Sequence, residues 1–330
     1  MNFNFLLTEC TFLRYFIPLI IEGNKRGISS VAYVGTSGKY TCPSIPSNMA
    51  TIQNLSKEYN FSLKEISEAD KVKNEIFFCV EGVGLKNRNL KQNNKVCSLT
   101  YMTDYFFLYD SYIHDVNQVI FPSLKYAQFG EQDKKSDKNI YLGSPKYGVE
   151  LNSGDILNKY NIDKESKIAL VLAPKTRDIN NINLQALYQW VENLGYTVVT
   201  KTRGKDPLPD YMRSSKYFED ESWYPHTTME LISIADFVIN FSSTAIKECV
   251  LMNTPLINFH IKPFDEPHTP FLYEYDYCKQ LNKDCSFDDF KTAVNDLVSQ
   301  DHSSSFQASV RDNLFDVNNV CKKIVDAVLE

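Results

Sequence analysis

The sequence predicts an α/β protein of two domains, each an open parallel sheet covered by helices. Three observations lead there. Short β-rich runs alternate with amphipathic helical patterns along the chain, the signature of parallel strands joined through helices. One run, KIALVLA (Lys167–Ala173), is continuously apolar, as suits a strand buried on both faces. The length of 330 residues exceeds the roughly 250 to 300 at which a single core stops growing, so two domains are the default.

In the first half the pattern predicts a strand at Phe3–Leu7, a helix over about Thr11–Asn24 and a strand at Ser30–Val34. Gly23 and Gly27 punctuate the end of that helix. Further strands are expected at Glu75–Val80, Val96–Tyr101, Val119–Pro122 and Asn139–Leu142, the last preceded by a polar loop at Gln132–Lys138. GSPKYG (Gly143–Gly148) follows, and then the composition shifts.

The second half is more regular. After Lys167–Ala173 comes a helix with Leu184, Leu187, Val191 and Leu194 on one face, stopped by Gly195. Strands follow at Tyr196–Arg203 and Lys216–Glu219. Thr227 and Glu230 have capping-box spacing at the start of a helix ending near Ala235. A strand at Asp236–Asn240, a helix over Thr244–Met252 and a strand at Pro255–His260 come next. Tyr273, Tyr275 and Tyr277 alternate like an edge strand or an extended linker, and are expected to pack. Ser286 with Asp289 caps a helix bearing Phe287, Phe290, Val294 and Leu297, and a last helix uses Val317, Val320, Ile324 and Val328. The expected domains are residues 1–148, residues 149–312, and a C-terminal helix at 313–330 that packs back on the first domain.

Composition excludes several classes. With 21 Phe, 20 Tyr and 43% hydrophobic residues the chain buries too much apolar surface for disorder, and no period of about 20 to 50 residues marks a solenoid. A net charge of −6 argues against a nucleic-acid partner while leaving room for one basic pocket. The eight cysteines lie far apart with no C-x-x-C, and read as reduced core residues. The apolar N-terminal stretch has no basic leader region, and Glu9 and Arg14 interrupt it, which favours a soluble, cytoplasmic protein. His260 and His268 flank a Pro-rich stretch without metal-ligand spacing, so no metal is expected.

Ligands of open parallel sheets bind beyond the carboxyl ends of the strands. Three segments of the second half place polar residues there: Lys175-Thr176-Arg177, Lys201-Thr202-Arg203 and Ser242-Ser243-Thr244. The Lys-Thr-Arg tripeptide recurs after 26 residues, about one strand-helix-strand step, so neighbouring strands would aim both into one crevice. Four cations and a Ser/Thr turn at a helix start suit an anion, most simply a diphosphate. Taken singly, each segment also reads as a capped helix or a solvated strand end. Glu248, about one turn into the next helix, is placed to accept hydrogen bonds from a vicinal diol such as a ribose, and also reads as an ordinary helix-surface carboxylate. His226, ahead of a helix, is a candidate for a base or phosphate contact or a plain cap. Neither G-x-G-x-x-G nor a Walker A sequence occurs, which disfavours nicotinamide and P-loop chemistry.

Ala235–Phe259, ADFVINFSSTAIKECVLMNTPLINF, resembles the donor-binding segment of GT-B-fold glycosyltransferases. SSTAIKE is similar to the S-G-T-A-x-x-E segment of lipid-A-disaccharide synthases, to D-Y-S-S of CDP-glycerol glycerophosphotransferases and, more weakly, to D-S-G-G-x-x-E-E of UDP-N-acetylglucosamine 2-epimerases. GSPKYG looks like their G-N-P-K/R-Y/F-D crossover, and LAPKTRD like their A-P-T-x-R-D. The likeness spans residues 140 to 260; the first 130 match only in general character.

This resemblance implies two Rossmann-like domains facing across a cleft. It also implies that Ser242, Ser243 and Thr244 hold the donor phosphates, Glu248 the ribose, and Lys201 or Arg203 the leaving diphosphate, with Lys175, Arg177 and His226 nearby. No cofactor is expected beyond a UDP-, CMP- or CDP-linked donor, and no metal, because fixed donors neutralise the leaving group. An inverting transfer would need a base at a strand end of the first domain; Glu9, Asp104 and His114 are the candidates, with Glu81 more apt to start a turn. The acceptor implied is a surface glycan or a lipid-linked glycan, the latter entailing a peripheral contact at the inner face of the membrane. Thr202-Arg203 stands where CDP-glycerol enzymes tend to have His-Pro, and Ser243-Thr244 where the epimerases have two glycines. Glycosyl transfer therefore leads, with CDP-polyol phosphotransfer, sugar-nucleotide epimerisation and a non-catalytic nucleotide-binding module as alternatives.

Overall fold

The computed structural model describes residues 1–35, 44–101, 109–129, 136–174, 178, 183–202, 209–214, 216–219, 223–260, 270–311 and 319–330. The chain divides into two compact units, Met1–Val149 with Leu314–Glu330, and Glu150–Asn313.

The first unit holds a seven-stranded sheet in the order β3-β2-β1-β4-β5-β6-β7, with every neighbouring pair parallel. Its strands are β1 (Asn2–Leu7), β2 (Ser29–Val34), β3 (Ser62–Glu65), β4 (Ile76–Val80), β5 (Lys95–Leu99), β6 (Gln118–Phe121) and β7 (Asn139–Tyr141). β4, IFFCV, is buried at every position, as its apolar run requires of a central parallel strand. β3, SLKE, is an edge strand alternating between exposed and half-buried, so it carries no hydrophobic period and the sequence pattern did not predict it. The helix Met49–Glu58 also went unpredicted, because only Ile52 and Leu55 of it are buried.

The helix Leu13–Lys25 follows a short 3-10 turn at Cys10–Phe12. Leu13 through Ile20 are all buried, which explains an apolar run too dense for an amphipathic stripe. The helix Val320–Leu329 and the turn Pro145–Tyr147 pack against it. That approach is close enough that a Cβ on Gly148 would lie 2.8 Å from Cys321 Sγ. Arg26 at the end of the first helix binds Glu22 (2.8 Å) and Asp326 (2.5 Å), adding a polar clasp at the rim.

The second unit holds a six-stranded parallel sheet, β10-β9-β8-β11-β12-β13. Its strands are β8 (Ile168–Leu172), β9 (Thr197–Lys201), β10 (Lys216–Phe218), β11 (Phe237–Asn240), β12 (Leu256–His260) and β13 (Cys278–Asn282). One face packs Phe237, Ile239, Ile257 and Phe259 against Phe290, Val294 and Leu297 of the helix Phe287–Ser299. That helix has the expected capping box: Ser286 Oγ accepts from Asp289 N (3.2 Å) and Asp289 Oδ2 from Ser286 N (2.9 Å).

Two expectations fail here. The helix Thr227–Ser233 takes His226 as its N-cap and has no capping box. Glu230 instead turns to Lys159 (2.8 and 2.9 Å) and to Tyr160 OH (2.6 Å), because a buried carboxylate gains more from a cation and a phenol than from one backbone N–H. The tyrosine run packs as expected, with Tyr273 and Tyr277 buried, but is neither edge strand nor linker. Pro270–Glu274 is a 3-10 turn, and Tyr277 is fully buried just before β13, stacked 4.6 Å from Phe306.

After β4 the chain turns through Glu81 and Gly82, both left-handed (φ +49° and +65°). A Cβ on Gly82 would lie 2.2 Å from Tyr112 Cβ. Gly82→Ala should therefore lower stability by about 2 kcal/mol or more, read as a fall in the urea midpoint at constant m-value.

All seven cysteines among the described residues are free. Burial pushes the thiols of Cys79, Cys97, Cys278 and Cys321 up to about 12, well above the ordinary value of 9.0. These thiols stay neutral in the fold but ionise in the unfolded chain from about pH 9. Their contribution is complete below that pH and is lost between about 9 and 12. The thermal midpoint should fall over that window, and alkylation of these four at pH 8 should require unfolding.

Candidate functional site

In each sheet the strand order reverses once, between β1 and β4 in the first and between β8 and β11 in the second. Loops leaving the carboxyl ends part in opposite directions at such a point and leave a crevice. In the second unit the loop after β11 is the wall of that point that the described residues supply in full.

β11 ends at Asn240, and the chain runs through Phe241, Ser242, Ser243 and Thr244 into the helix Ile246–Leu251. Ser242 is left-handed (φ +51°), a conformation a non-glycine residue keeps only when its surroundings hold it. What holds it is a set of buried polar side chains. Asn258, paired with Asn240 in the β11–β12 register, accepts from Ser242 N at 2.8 Å through Oδ1. The same oxygen accepts from Asn240 Nδ2 at 3.0 Å. Asn240 Nδ2 also reaches Ser243 O (3.4 Å) and Tyr273 OH (3.3 Å), while Tyr273 OH donates to Ser243 O (3.2 Å). Both asparagines are 0% exposed.

Ser243 O is thus occupied several times over, while two of the turn's N–H donors are not. Ser243 O also takes the N–H of Ile246 (3.4 Å), and Ser243 Oγ that of Ala245 (3.4 Å). Among the described residues the N–H groups of Ser243 and Thr244 donate to nothing, and both residues are half-buried, hence reachable. Two adjacent N–H groups without partners present positive partial charge, the polarity that suits an anion.

The sequence placed the start of the helix at Thr244, but it begins at Ile246 with Ala245 as N-cap. The left-handed step at Ser242 keeps Thr244 and Ala245 in the turn, so the helix proper begins two residues later. Glu248 is the third helical residue and is 4% exposed, not the surface carboxylate of the plain reading. Burial first, and the Glu248 carboxylate next, push the neighbouring Cys249 thiol upward.

Lys201 closes β9 and is 5% exposed, with its ammonium donating to the carbonyl of Thr202. It is therefore part of the strand end's packing and not a solvated cation. His226, 8% exposed, is the N-cap of the helix Thr227–Ser233 on the carboxyl side of the sheet. Lys175, Arg177 and Arg203 lie outside the described residues.

In the first unit Glu9 follows β1 as predicted, in extended conformation and exposed, with Thr11 Oγ1 3.4 Å from its carboxylate. Asp104 lies outside the described residues. His114 does not join Glu9. It sits in the turn Ile113–Asp115 just ahead of β6, and since all the strands run parallel, this is the amino edge of the sheet. Its carbonyl accepts from Lys91 Nζ (2.9 Å), a residue likewise placed before its strand, β5. Glu81 is consumed by the turn: its carboxylate accepts from Tyr101 N (2.7 Å) and Tyr112 OH (3.1 Å).

The reading from sequence missed Asn240, Asn258 and Tyr273. The available signal was an asparagine within two otherwise apolar runs, DFVIN and PLINFH, where a buried polar residue needs a partner. Among the described residues no cluster of His, Cys, Asp or Glu is arranged to hold a metal ion, and no helix is long and apolar enough to cross a membrane.

No family model and no curated protein matches the sequence. Solved structures do. The chain is similar to the wall teichoic acid polymerase TagF, with a TM-score of 0.66 and 11% identity over 99% of this chain and 88% of that one. It is similar to the UDP-GlcNAc 2-epimerase of Methanocaldococcus jannaschii, with a TM-score of 0.65 and 12% identity over 100% and 99%. It is similar to the glycotransferase of kitacinnamycin, with a TM-score of 0.62 and 10% identity over 100% and 99%. At such identities the likeness is one of fold: the chain has the GT-B fold, with two α/β units each built on a parallel sheet.

The Glu230 carboxylate, almost wholly buried, is the feature of this unit most exposed to a mutational test. Glu230→Ala removes the partner of Lys159 and Tyr160 and should cost about 2 kcal/mol in urea denaturation, with Glu230→Gln losing less.

Proposed function

We propose that the protein is a nucleotide-sugar-dependent glycosyltransferase that builds a surface glycan or glycolipid. The observation that carries this reading is the β11 turn: two half-buried, unpartnered N–H groups at the strand-order reversal of a GT-B-type unit. In this reading the Ser243 and Thr244 N–H groups bind the donor's diphosphate, Glu248 takes the ribose hydroxyls, and Lys201 and His226 line the same strand ends. Charge develops on the diphosphate as the glycosidic carbon–oxygen bond breaks. Donors already fixed in place stabilise that charge without a metal ion and without reorganisation. Glu9 is the base: its exposed carboxylate takes the proton of the acceptor hydroxyl as that oxygen forms the new bond. The protein acts in the cytoplasm, with peripheral contact at the membrane where its acceptor is lipid-linked.

A second reading, transfer of a polyol phosphate from a CDP-linked donor, is supported by the likeness to TagF, which has been solved after a soak with CDPG. The same turn would serve there, since both donors carry a diphosphate.

A thermal-shift screen against UDP, CMP, CDP and GDP separates the readings, because a ligand that binds only the folded state raises its midpoint. UDP-selective stabilisation supports sugar transfer and CDP-selective stabilisation polyol phosphate transfer. With the stabilising donor and excess EDTA, turnover should persist. Glu9→Gln should lose at least about 100-fold in kcat at unchanged donor affinity. Stabilisation by none of the four would overturn the donor reading.

A further inference from the structure

The structure assigns to Asn240, Asn258 and Tyr273 a positioning role: a buried hydrogen-bonded scaffold that sets the Ser243 and Thr244 N–H groups for a nucleoside diphosphate. This rests on the donor reading above and names the residues outside the Ser/Thr segment on which it depends.

Three observations carry it. First, the scaffold acts on the turn's backbone. Asn258 Oδ1 takes Ser242 N at 2.8 Å, while Asn240 Nδ2 and Tyr273 OH hold Ser243 O at 3.4 and 3.2 Å. The peptide that ends in Thr244 N begins with that carbonyl, so fixing Ser243 O fixes the direction of the Thr244 N–H. Second, the left-handed φ of Ser242 has a cost that local sequence does not offset. Releasing Ser242 N or Ser243 O lets the turn relax toward an ordinary helix start and swings both N–H groups away.

Third, the scaffold is left incomplete in a way that points to a ligand or an ordered water. Asn258 Nδ2 and Asn240 Oδ1 have no protein partner, although both residues are 0% exposed. A pair serving packing alone would be replaced at little cost by two apolar residues, whereas a buried donor and acceptor left open carry a continuing penalty. Retaining it is intelligible where the amides hold backbone donors in place for an anion.

Asn258→Ala, Asn258→Asp and Tyr273→Phe test this in the full-length protein. Calorimetry gives the affinity for UDP or CDP, whichever stabilises the wild type, and ligand-observed NMR gives that for the matching nucleoside. Asn258→Ala should weaken the diphosphate 10- to 100-fold and leave the nucleoside within twofold. Asn258→Asp keeps the acceptor for Ser242 N but turns the open donor into a carboxylate, and should lose at least tenfold for the diphosphate alone. Tyr273→Phe removes one oxygen, should leave the thermal midpoint within about 2 °C and should still cost three- to tenfold, so a failure of Asn258→Ala to fold leaves the idea open to refutation. Diphosphate affinity unchanged in Tyr273→Phe and Asn258→Asp, or a parallel fall in diphosphate and nucleoside affinity, overturns the positioning role while the donor reading stands. A wild-type protein that binds neither UDP nor CDP overturns both.

Discussion

Parallel pairing is the constraint from which the rest of this molecule follows. Every neighbouring pair of described strands runs in one direction, so all the carboxyl ends of a sheet share one edge. Each return to the next strand must then cross the sheet, and the crossing helices cover both faces. Such strands are buried on two sides, which is why IFFCV and IALVL contain no polar residue. The same rule concentrates chemistry: polar groups excluded from the faces collect in the loops at one edge. It also fixes the fate of His114, since a residue before a strand sits at the opposite edge from one that follows.

The polar interior of the second unit shows what this arrangement demands of a binding edge. Asn240, at the end of β11, and Asn258, in the middle of β12, occupy paired positions on adjacent strands, inside an otherwise apolar layer. Burying two amides costs free energy unless each finds partners, and here Asn240 Nδ2 and Asn258 Oδ1 find each other, Tyr273 and the backbone of the turn, while Asn240 Oδ1 and Asn258 Nδ2 stay open. The interior reaches upward to shape the edge. A loop anchored only by its own residues would sample several conformations, whereas one tied to a buried amide on the next strand inherits the rigidity of the sheet.

How much of this was legible in the sequence depends on which signal each element carries. The central strands and the helix Phe287–Ser299 announced themselves through apolar runs, helical spacing and the Ser286–Asp289 box, all local. β3, with one half-buried leucine among polar residues, gave no such signal. The Thr227–Glu230 pattern had the right letters, but a buried carboxylate chooses its strongest partner, and Lys159 lies 71 residues away. Ser242, Ser243 and Thr244 were visible as a polar triplet after an apolar run. The residues that hold them were not, because Asn258 is a neighbour only after β12 pairs with β11. Sequence pattern locates groups that follow a strand; it does not locate groups that become adjacent through pairing.

The acidic balance takes on a more definite meaning in this setting. A net charge of −6 spread over a surface of 15350 Å² is sparse, and at physiological salt its field decays over about 8 Å. A small anion arriving at the β11 turn therefore meets mainly the groups in contact range. Among the described residues those include neutral dipoles, the two N–H groups without partners and the amides beneath them, while Lys201 is folded back onto Thr202. Dipoles held in place act strongly on a charge they touch and weakly on one several ångströms off. On the donor reading proposed above, such a site favours a compact diphosphate that fits the turn over a long polyanion, whose remaining charges would face an acidic exterior with no compensating contact.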